Sequence, residues 1–321
     1  MKALYRTGCF TAAVVLLLSA RTAFAEDTLK LAIGQRGNWD TSVAELGKQA
    51  GLFKAQGLEL QILYTQGGGE TQQAVISGSV DIGVAAGVMG VLGAFSKGAP
   101  VRVIGAEITG GTDLFWYVRA DSPIRKLQDT DGKTIAYSTN GSSTHGIVNA
   151  FINEQGLRAR PVATGGPSAT LTQVMSNQID VGWSAPPFGL DLLDRGKIRI
   201  IAGGNDARAF KNQTVRLLIT NVHTLKDRKD VLQRFMNGYR RTLDWMYSDP
   251  AALKAYAAFV GIPEAQAKRT RDEFFPKAAM DPDRIVGLDS IVKDAVTLKY
   301  VAQPLTREQL AELIQIPPPR R

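Results

Sequence analysis

One phrase occurs twice in this chain. Residues 67–87 read GGGETQQAVISGSVDIGVAAG, and residues 165–185 read GGPSATLTQVMSNQIDVGWSA. A shift of 99 positions aligns seven identities: Gly67/Gly166, Thr71/Thr170, Val75/Val174, Ser77/Ser176, Asp81/Asp180, Gly83/Gly182 and Ala86/Ala185. The segments ahead of the phrase echo each other too. QAGL (49–52) and EQGL (154–157) each close a helical pattern before a strand. Two units of similar build in tandem are therefore expected.

Hydrophobic periodicity says what the units contain. TLKLAIG (28–34), LELQILY (58–64), DIGV (81–84) and PVRVIGAEI (100–108) read as strands. Between them TSVAELGKQAGLF (41–53) has helical spacing, with Val43, Leu46 and Ala50 on one face and Gly51 placed to stop it. TQQAVISG (71–78) and AAGVMGVLGAFSKG (85–98) read as helices. The second series has strands at 114–120, 132–138, 160–164 and 198–204, with a helix over 143–157. Strands alternating with helices at short spacing predict an α/β fold with a mostly parallel, helix-flanked sheet in each lobe. From about residue 223 the pattern turns helical, over 230–250, 251–263, 265–275, 288–301 and 307–314, and IPPPRR reads as a frayed tail. Ligands bind at the carboxyl ends of parallel strands. Two such edges face to face make a cleft, and glycine-rich turns at helix starts let backbone N–H groups approach a ligand there.

The start of the chain reads as a leader. Lys2 and Arg6 precede the apolar run Phe10–Ala20, and Ala23-Phe24-Ala25 follows. This predicts a signal peptide over residues 1–25, cut after Ala25, and a periplasmic product. Cleavage removes Cys9, the only cysteine, which leaves no disulfide and no cysteine metal site. The formal charge of +8 falls to +5 without the leader, and its cations are dispersed. Nucleic-acid binding is not expected. Nothing after Ala25 approaches 18 uninterrupted apolar residues. Two histidines 78 positions apart give no metal signature, and no P-loop or nucleophile elbow occurs. No catalytic residue, metal or cofactor is expected.

Read in order, LAIGQRGNWDTSVAELGKQAGLFKAQGLELQILYTQGGGETQQAVISGSVDIGVAAG and SPIRKLQDTDGKTIAYSTNGSSTHGIVNAFINEQGL resemble the nitrate/sulfonate/taurine-type solute-binding proteins of bacterial ABC importers, the NMT1/SsuA-like group. The resemblance implies a two-lobed type 2 periplasmic-binding fold. Lobe one would comprise 28–108 plus 222–321, and lobe two 109–216, with hinges near 109–112 and 213–221. It also implies a small, anionic organic solute, an ABC permease with its ATPase as partner, and a monomeric mature chain. WSAPPF (183–188) stands where many sulfonate and taurine binders carry Trp-Asp-Pro, so no single sulfonate is implied. The alternatives are a sensor subunit with the same cleft, or an enzyme like the thiamine pyrimidine synthases. Those enzymes rely on a cysteine-rich motif that this chain lacks.

The candidate ligand contacts follow from these loops. Arg36, Asn38 and Trp39 come just after the first strand: the arginine offers a fork to an anion, the tryptophan a cover for an apolar body. Arg36 in solvent and Trp39 packed on its own lobe are the competing readings. Gly68 and Gly69 belong to the glycine turn, and Ala86 and Gly87 follow DIGV, where small residues admit either a ligand or a close helix. Ser142, Ser143 and Thr144 open a helix and serve as caps, as anion contacts, or as both. Ser168, Trp183 and Pro186 are the corresponding positions in lobe two. His145 reads as a helix-start residue that touches water.

Overall fold

The computed structural model describes residues 26–319; the expected leader and its cleavage point after Ala25 lie outside them. The strands are β1 (Asp27–Gly34), β2 (Leu58–Thr65), β3 (Ile82–Gly87), β4 (Val101–Thr109), β5 (Phe115–Arg119), β6 (Thr134–Tyr137), β7 (Arg160–Ala163), β8 (Gly182–Ser184), β9 (Ile198–Gly203) and β10 (Thr214–Asn221). The helices before β10 are α1 (Val43–Gln49), α2 (Gly68–Ile76), α3 (Val88–Ser96), α4 (Ser143–Gln155), α5 (Pro167–Met175), α6 (Leu190–Asp194) and α7 (Arg208–Lys211). After it come α8 (Val222–Asp227), α9 (Lys229–Ser248), α10 (Pro250–Val260), α11 (Glu264–Arg269), α12 (Leu288–Thr297) and α13 (Arg307–Leu313). Among the described residues no helix is long and apolar enough to cross a membrane.

The first sheet has the order β2-β1-β3-β10-β4. In the second half β8-β5-β9 form one ladder and β6-β7 another. Val181, just ahead of β8, joins them: it bridges Ile135, and its carbonyl accepts the Ala136 N–H at 2.8 Å. The second half thus runs β7-β6-β8-β5-β9, the order of the first half. β1 pairs in parallel with β2 and β3, and β6 with β7. β10 and β5, however, run antiparallel to both of their neighbours. Each sheet is therefore mixed, and its antiparallel strand comes from a segment that connects the halves. Alternation of strands and helices signals parallel pairs, but it says nothing of a strand that enters from the other half.

This connection revises one boundary. The expected end of lobe two at 216 and the expected hinge over 213–221 fall within a buried strand, Thr214–Asn221, flanked by β3 and β4. The return to the first sheet is complete by Thr214. Gly110 and Gly111 lie in the outgoing connection, where a Cβ at Gly111 would come within 3.0 Å of the Gly204 backbone.

The repeated phrase turns out to be packing hardware. Gly67 and Gly166 are the N-caps of α2 and α5, and Ser77 and Ser176 their C-caps. Thr71 pairs with the Thr65 hydroxyl at 2.8 Å, and Thr170 with Thr164 at 2.6 Å. Asp81 accepts the Lys30 N–H at 2.8 Å, and Asp180 that of Thr134 at 2.9 Å, so each fastens its turn to the equivalent strand of its half, β1 or β6. A Cβ at Gly83 would meet Val75 at 2.9 Å, and one at Gly182 would meet Val174 at 2.7 Å. Glycine and valine recur together because helix and strand touch there.

The C-terminal helices cover the first half. Phe235 of α9 stacks on Phe53 at 5.4 Å, and a Cβ at Gly47 would strike Thr242. The tail after α13 is fastened rather than frayed. Gln315 N–H donates to Val103 O at 2.8 Å, Gln233 donates to Pro318 O at 2.7 Å, and Arg240 donates to Pro317 O.

Candidate functional site

The carboxyl ends of the two sheets face each other across a small cavity of about 30 Å³. The first half contributes Gly34, Gln35, Asn38, Asp40, Thr41, Gly67, Gly68, Ala85 and Arg216; the second contributes Ser138, Ser142, Ser143, Thr144 and Trp183, with Leu114 from the connection. Gln35 and Ala85 hold left-handed backbone, at φ 78° and 67°. Such conformations cost about 1–3 kcal/mol and persist where the surroundings enforce them.

The glycines bring the halves together. Gly69 N–H donates to Thr139 Oγ1 at 3.0 Å, and a Cβ there would lie 1.9 Å from Asn140 O. A Cβ at Gly87 would fall 2.6 Å from Ser143 N. Gly166 N–H donates to Gln66 Oε1 at 3.2 Å. These turns are bare so that one half can press on the other.

The wall from the second half is rich in hydroxyls. Ser142 caps α4 by accepting the His145 N–H at 3.2 Å, and its hydroxyl lies 2.9 Å from that of Thr144. Thr144 in turn accepts the Ser138 N–H at 2.9 Å. The start of a three-turn helix thus opens on the cavity with its partial positive charge. Trp183 forms part of this wall and is anchored by its indole N–H to Gly165 O at 3.2 Å.

The floor from the first half is charged and dry. Arg216 donates to Asp113 at 2.6 Å and lies 3.0 Å from Asp40, and all three side chains are buried. Glu107 is buried beside them. Burial first, and then the charge of Asp40, push the Glu107 carboxyl well above its ordinary range. Burial also pushes Asp113 up to about 6, against the pull of Arg216. Arg216 keeps its charge because the surrounding carboxylates outweigh the cost of burying it. Asn38 Oδ1 and Asp40 Oδ1 are buried with no hydrogen-bond partner.

The structure sorts the expected contacts. Asn38, Gly68, Ser142, Ser143, Thr144 and Trp183 converge on the cavity. Gly69 and Gly87 serve the contact between halves, and Ala86 is buried within β3. Trp39 is a core residue, wedged edge-on against Tyr256 at 4.8 Å and Tyr247 at 5.8 Å, because the C-terminal helices cover that side of the sheet. Arg36 is exposed and stacks on Phe259 at 4.2 Å while donating to its carbonyl at 3.0 Å. Ser168 lies on a separate groove of about 500 Å³ between α5, β8–α6 and α10–α11. Pro186 precedes Pro187 and Phe188, which line that groove. Across it Gln266 donates to Pro187 O at 3.2 Å and Arg269 pairs with Asp194 at 2.9 Å.

His145 does not line the cavity. Its ring stacks on Tyr137, its Nδ1 accepts the Gly141 N–H at 3.1 Å, and the Tyr300 hydroxyl lies 2.9 Å from the same nitrogen. His145 stands at the helix start, as expected, and is half-buried by this contact between halves. Burial lowers its pKa. Asp40 and Arg216 escaped the sequence reading. A charge inside each of the apolar runs VIGAEI and TVRLLITN was the available signal for Glu107 and Arg216.

Comparison with known proteins adds three findings. The family model described as "NMT1/THI5 like" matches residues 42–253. No curated protein matches the sequence. Among solved structures, the alkanesulfonate-binding protein SsuA from Xanthomonas axonopodis pv. citri, bound to MOPS, superposes with a TM-score of 0.72. Its identity is 20%, with 92% of this chain and 100% of that one covered. The periplasmic aliphatic sulphonate-binding protein SsuA from Escherichia coli gives a TM-score of 0.68 at 17% identity, over 92% of this chain and 94% of that one. The periplasmic nitrate-binding protein NrtA from Synechocystis PCC 6803 gives 0.67 at 11%, over 89% of this chain and 84% of that one. At these identities the likeness is one of fold, a two-lobed type 2 periplasmic-binding architecture.

Proposed function

Because the chain belongs to the NMT1/THI5-like family, we propose that it is the solute-binding component of an ABC importer. On this reading it works in the periplasm, captures one small organic anion between its lobes and passes it to the permease. The observation that carries the reading is the cavity built from both halves, with the start of α4 opposite the glycine turn of α2. A helix start of this kind, with hydroxyls beside it, holds a carboxylate or sulfonate. The sulfonate and nitrate binders among its structural neighbours support an anionic solute.

A cavity of about 30 Å³ is roughly a tenth of the smallest usual ligand site. The lobes therefore part to admit the solute and close on it through contacts that neither makes alone. The receptor is a binding protein rather than an enzyme, and it acts as a monomer. Differential scanning fluorimetry of the chain beginning at Glu26, against a library of small organic acids, tests this. One chemical class should raise the melting temperature and be recovered unchanged; conversion of the bound compound, or no stabilising compound, contradicts the proposal.

A further inference from the structure

We infer that Tyr300 and His145 form a proton-operated latch between the halves. The neutral ring of His145 holds the start of α4 against the first half, and protonating that ring releases it. The inference rests on the receptor reading, in which the lobes part and close, and adds acid pH as a signal that opens them.

The latch ties the wall of the cavity to the C-terminal segment. His145 belongs to the first turn of α4, in the second half. Tyr300 follows α12 and rests on α3 of the first half, where a Cβ at Gly93 would lie 2.9 Å from the Tyr300 carbonyl oxygen. The Tyr300 hydroxyl lies 2.9 Å from His145 Nδ1. Asn149, one turn further along α4, donates to that hydroxyl at 3.3 Å, which leaves the phenolic proton for the ring. The same ring nitrogen accepts the Gly141 N–H at 3.1 Å. Gly141 itself presses on the first half: a Cβ at Gly90 would lie 2.2 Å from its oxygen. One nitrogen thus holds both the hydroxyl from the other half and the turn that leads into Ser142, Ser143 and Thr144 at the cavity.

A backbone N–H cannot turn round, so Nδ1 offers a lone pair and the neutral ring carries its proton on Nε2. A second proton lands on Nδ1. It sets N–H against N–H at the Gly141 turn, and the phenolic proton loses its acceptor. The partial positive charge of a helix start also disfavours a cation there. The other groups around the ring do not titrate in its place. Tyr137 of β6 stacks on it at 4.4 Å, and burial raises both Tyr137 and Tyr300, so neither ionises near neutrality. Asn149, whose amide lies 3.2 Å from Nε2, carries no titrating group, and α3 meets the Gly141 turn and Tyr300 with glycines. Among the described residues no carboxylate, lysine or arginine bonds to the ring, and burial is what lowers its pKa. Parting the halves frees the ring, so the open form takes the proton more readily and acid favours opening. A solute that needs the closed form then loses affinity as pH falls below about 6.5, by at most about tenfold per pH unit for one proton.

Small-angle scattering and proton NMR on the chain beginning at Glu26, without any solute, test the latch. The histidines are His145 and His223, so His145→Gln assigns the imidazole signals by the loss of one. His145 should titrate below the ordinary imidazole range. Between about pH 7.5 and 5.5 the radius of gyration should grow by about 1 Å, roughly a twentieth of that of a folded chain of this length. His145→Gln, whose amide oxygen still accepts but takes no proton, should stay compact at both pH values. Tyr300→Phe keeps the packed ring and loses the hydroxyl; it should be expanded at both, and should return His145 toward about 6.5. Unchanged dimensions in the native chain overturn the latch. So does expansion that persists in His145→Gln, expansion with loss of the near-ultraviolet circular dichroism of a packed core, or a His145 titration unmoved by Tyr300→Phe. Should either variant not fold, the native chain and the other variant decide. Each of these measurements is made without solute, so their failure leaves the receptor reading standing, and a failed solute screen removes that reading while the measured latch remains.

Discussion

The two halves share a frame and differ where they meet. Both order their strands alike, both tie a threonine pair across the helix start, and both fasten a turn aspartate to the equivalent strand, β1 or β6. At the cavity the likeness ends. The first half presents Asp40 and Arg216 on a buried floor, and the second presents Ser142, Ser143, Thr144 and Trp183. Repetition marks what builds a lobe; the proposed recognition lies in what was not repeated.

The harshest test of that contrast is Arg216→Met. It leaves Asp40 and Asp113 buried without a counter-charge, and it should cost about 3–5 kcal/mol of stability in urea titration. A loss below about 1 kcal/mol would mean that the floor is not the dry, paired cluster described.

The pH dependence should differ in sign between the cavity floor and the His145 contact. Asp113 moves from 3.8 to about 6 on folding. The folded state therefore holds its proton more tightly than the unfolded chain does, and stability declines as pH rises from about 4 to 6. That decline amounts to about 3 kcal/mol and should shrink in Asp113→Asn. His145 shifts downward, so its contribution is present above about pH 6.5 and is lost as pH falls. His145→Gln should flatten that limb alone, as read from unfolding free energies across pH.

The shared frame predicts matched effects. Gly83→Ala and Gly182→Ala each force a methyl against a valine and should each cost about 1–3 kcal/mol. A large effect at one site and none at the other, in thermal denaturation, would break the equivalence. Thr71→Val and Thr170→Val remove the corresponding hydroxyl pairs and should each cost about 1 kcal/mol.

The frame was legible because its signals are local. Glycine ahead of a helix, valine on its inner face and glycine in the next strand recur within one βαβ unit. The site was legible only in part. Ser142–Thr144 announce a helix start by composition, and the structure gives them that place. Trp39 reads the same whether it faces a cleft or a core; the tyrosines that enclose it lie far along the chain, on α9 and α10. Arg216 lies in a strand where the sequence pattern suggests a hinge, and its partners Asp40 and Asp113 are distant in sequence. Antiparallel β5 and β10 escaped notice for a related reason: strand direction is set by which half the chain has just left.

The proposed function depends on the two halves closing on a solute. Small-angle scattering on the chain beginning at Glu26, with and without the compound that most raises its melting temperature, tests this most directly. The radius of gyration should fall on binding. Tight binding with unchanged dimensions would contradict it.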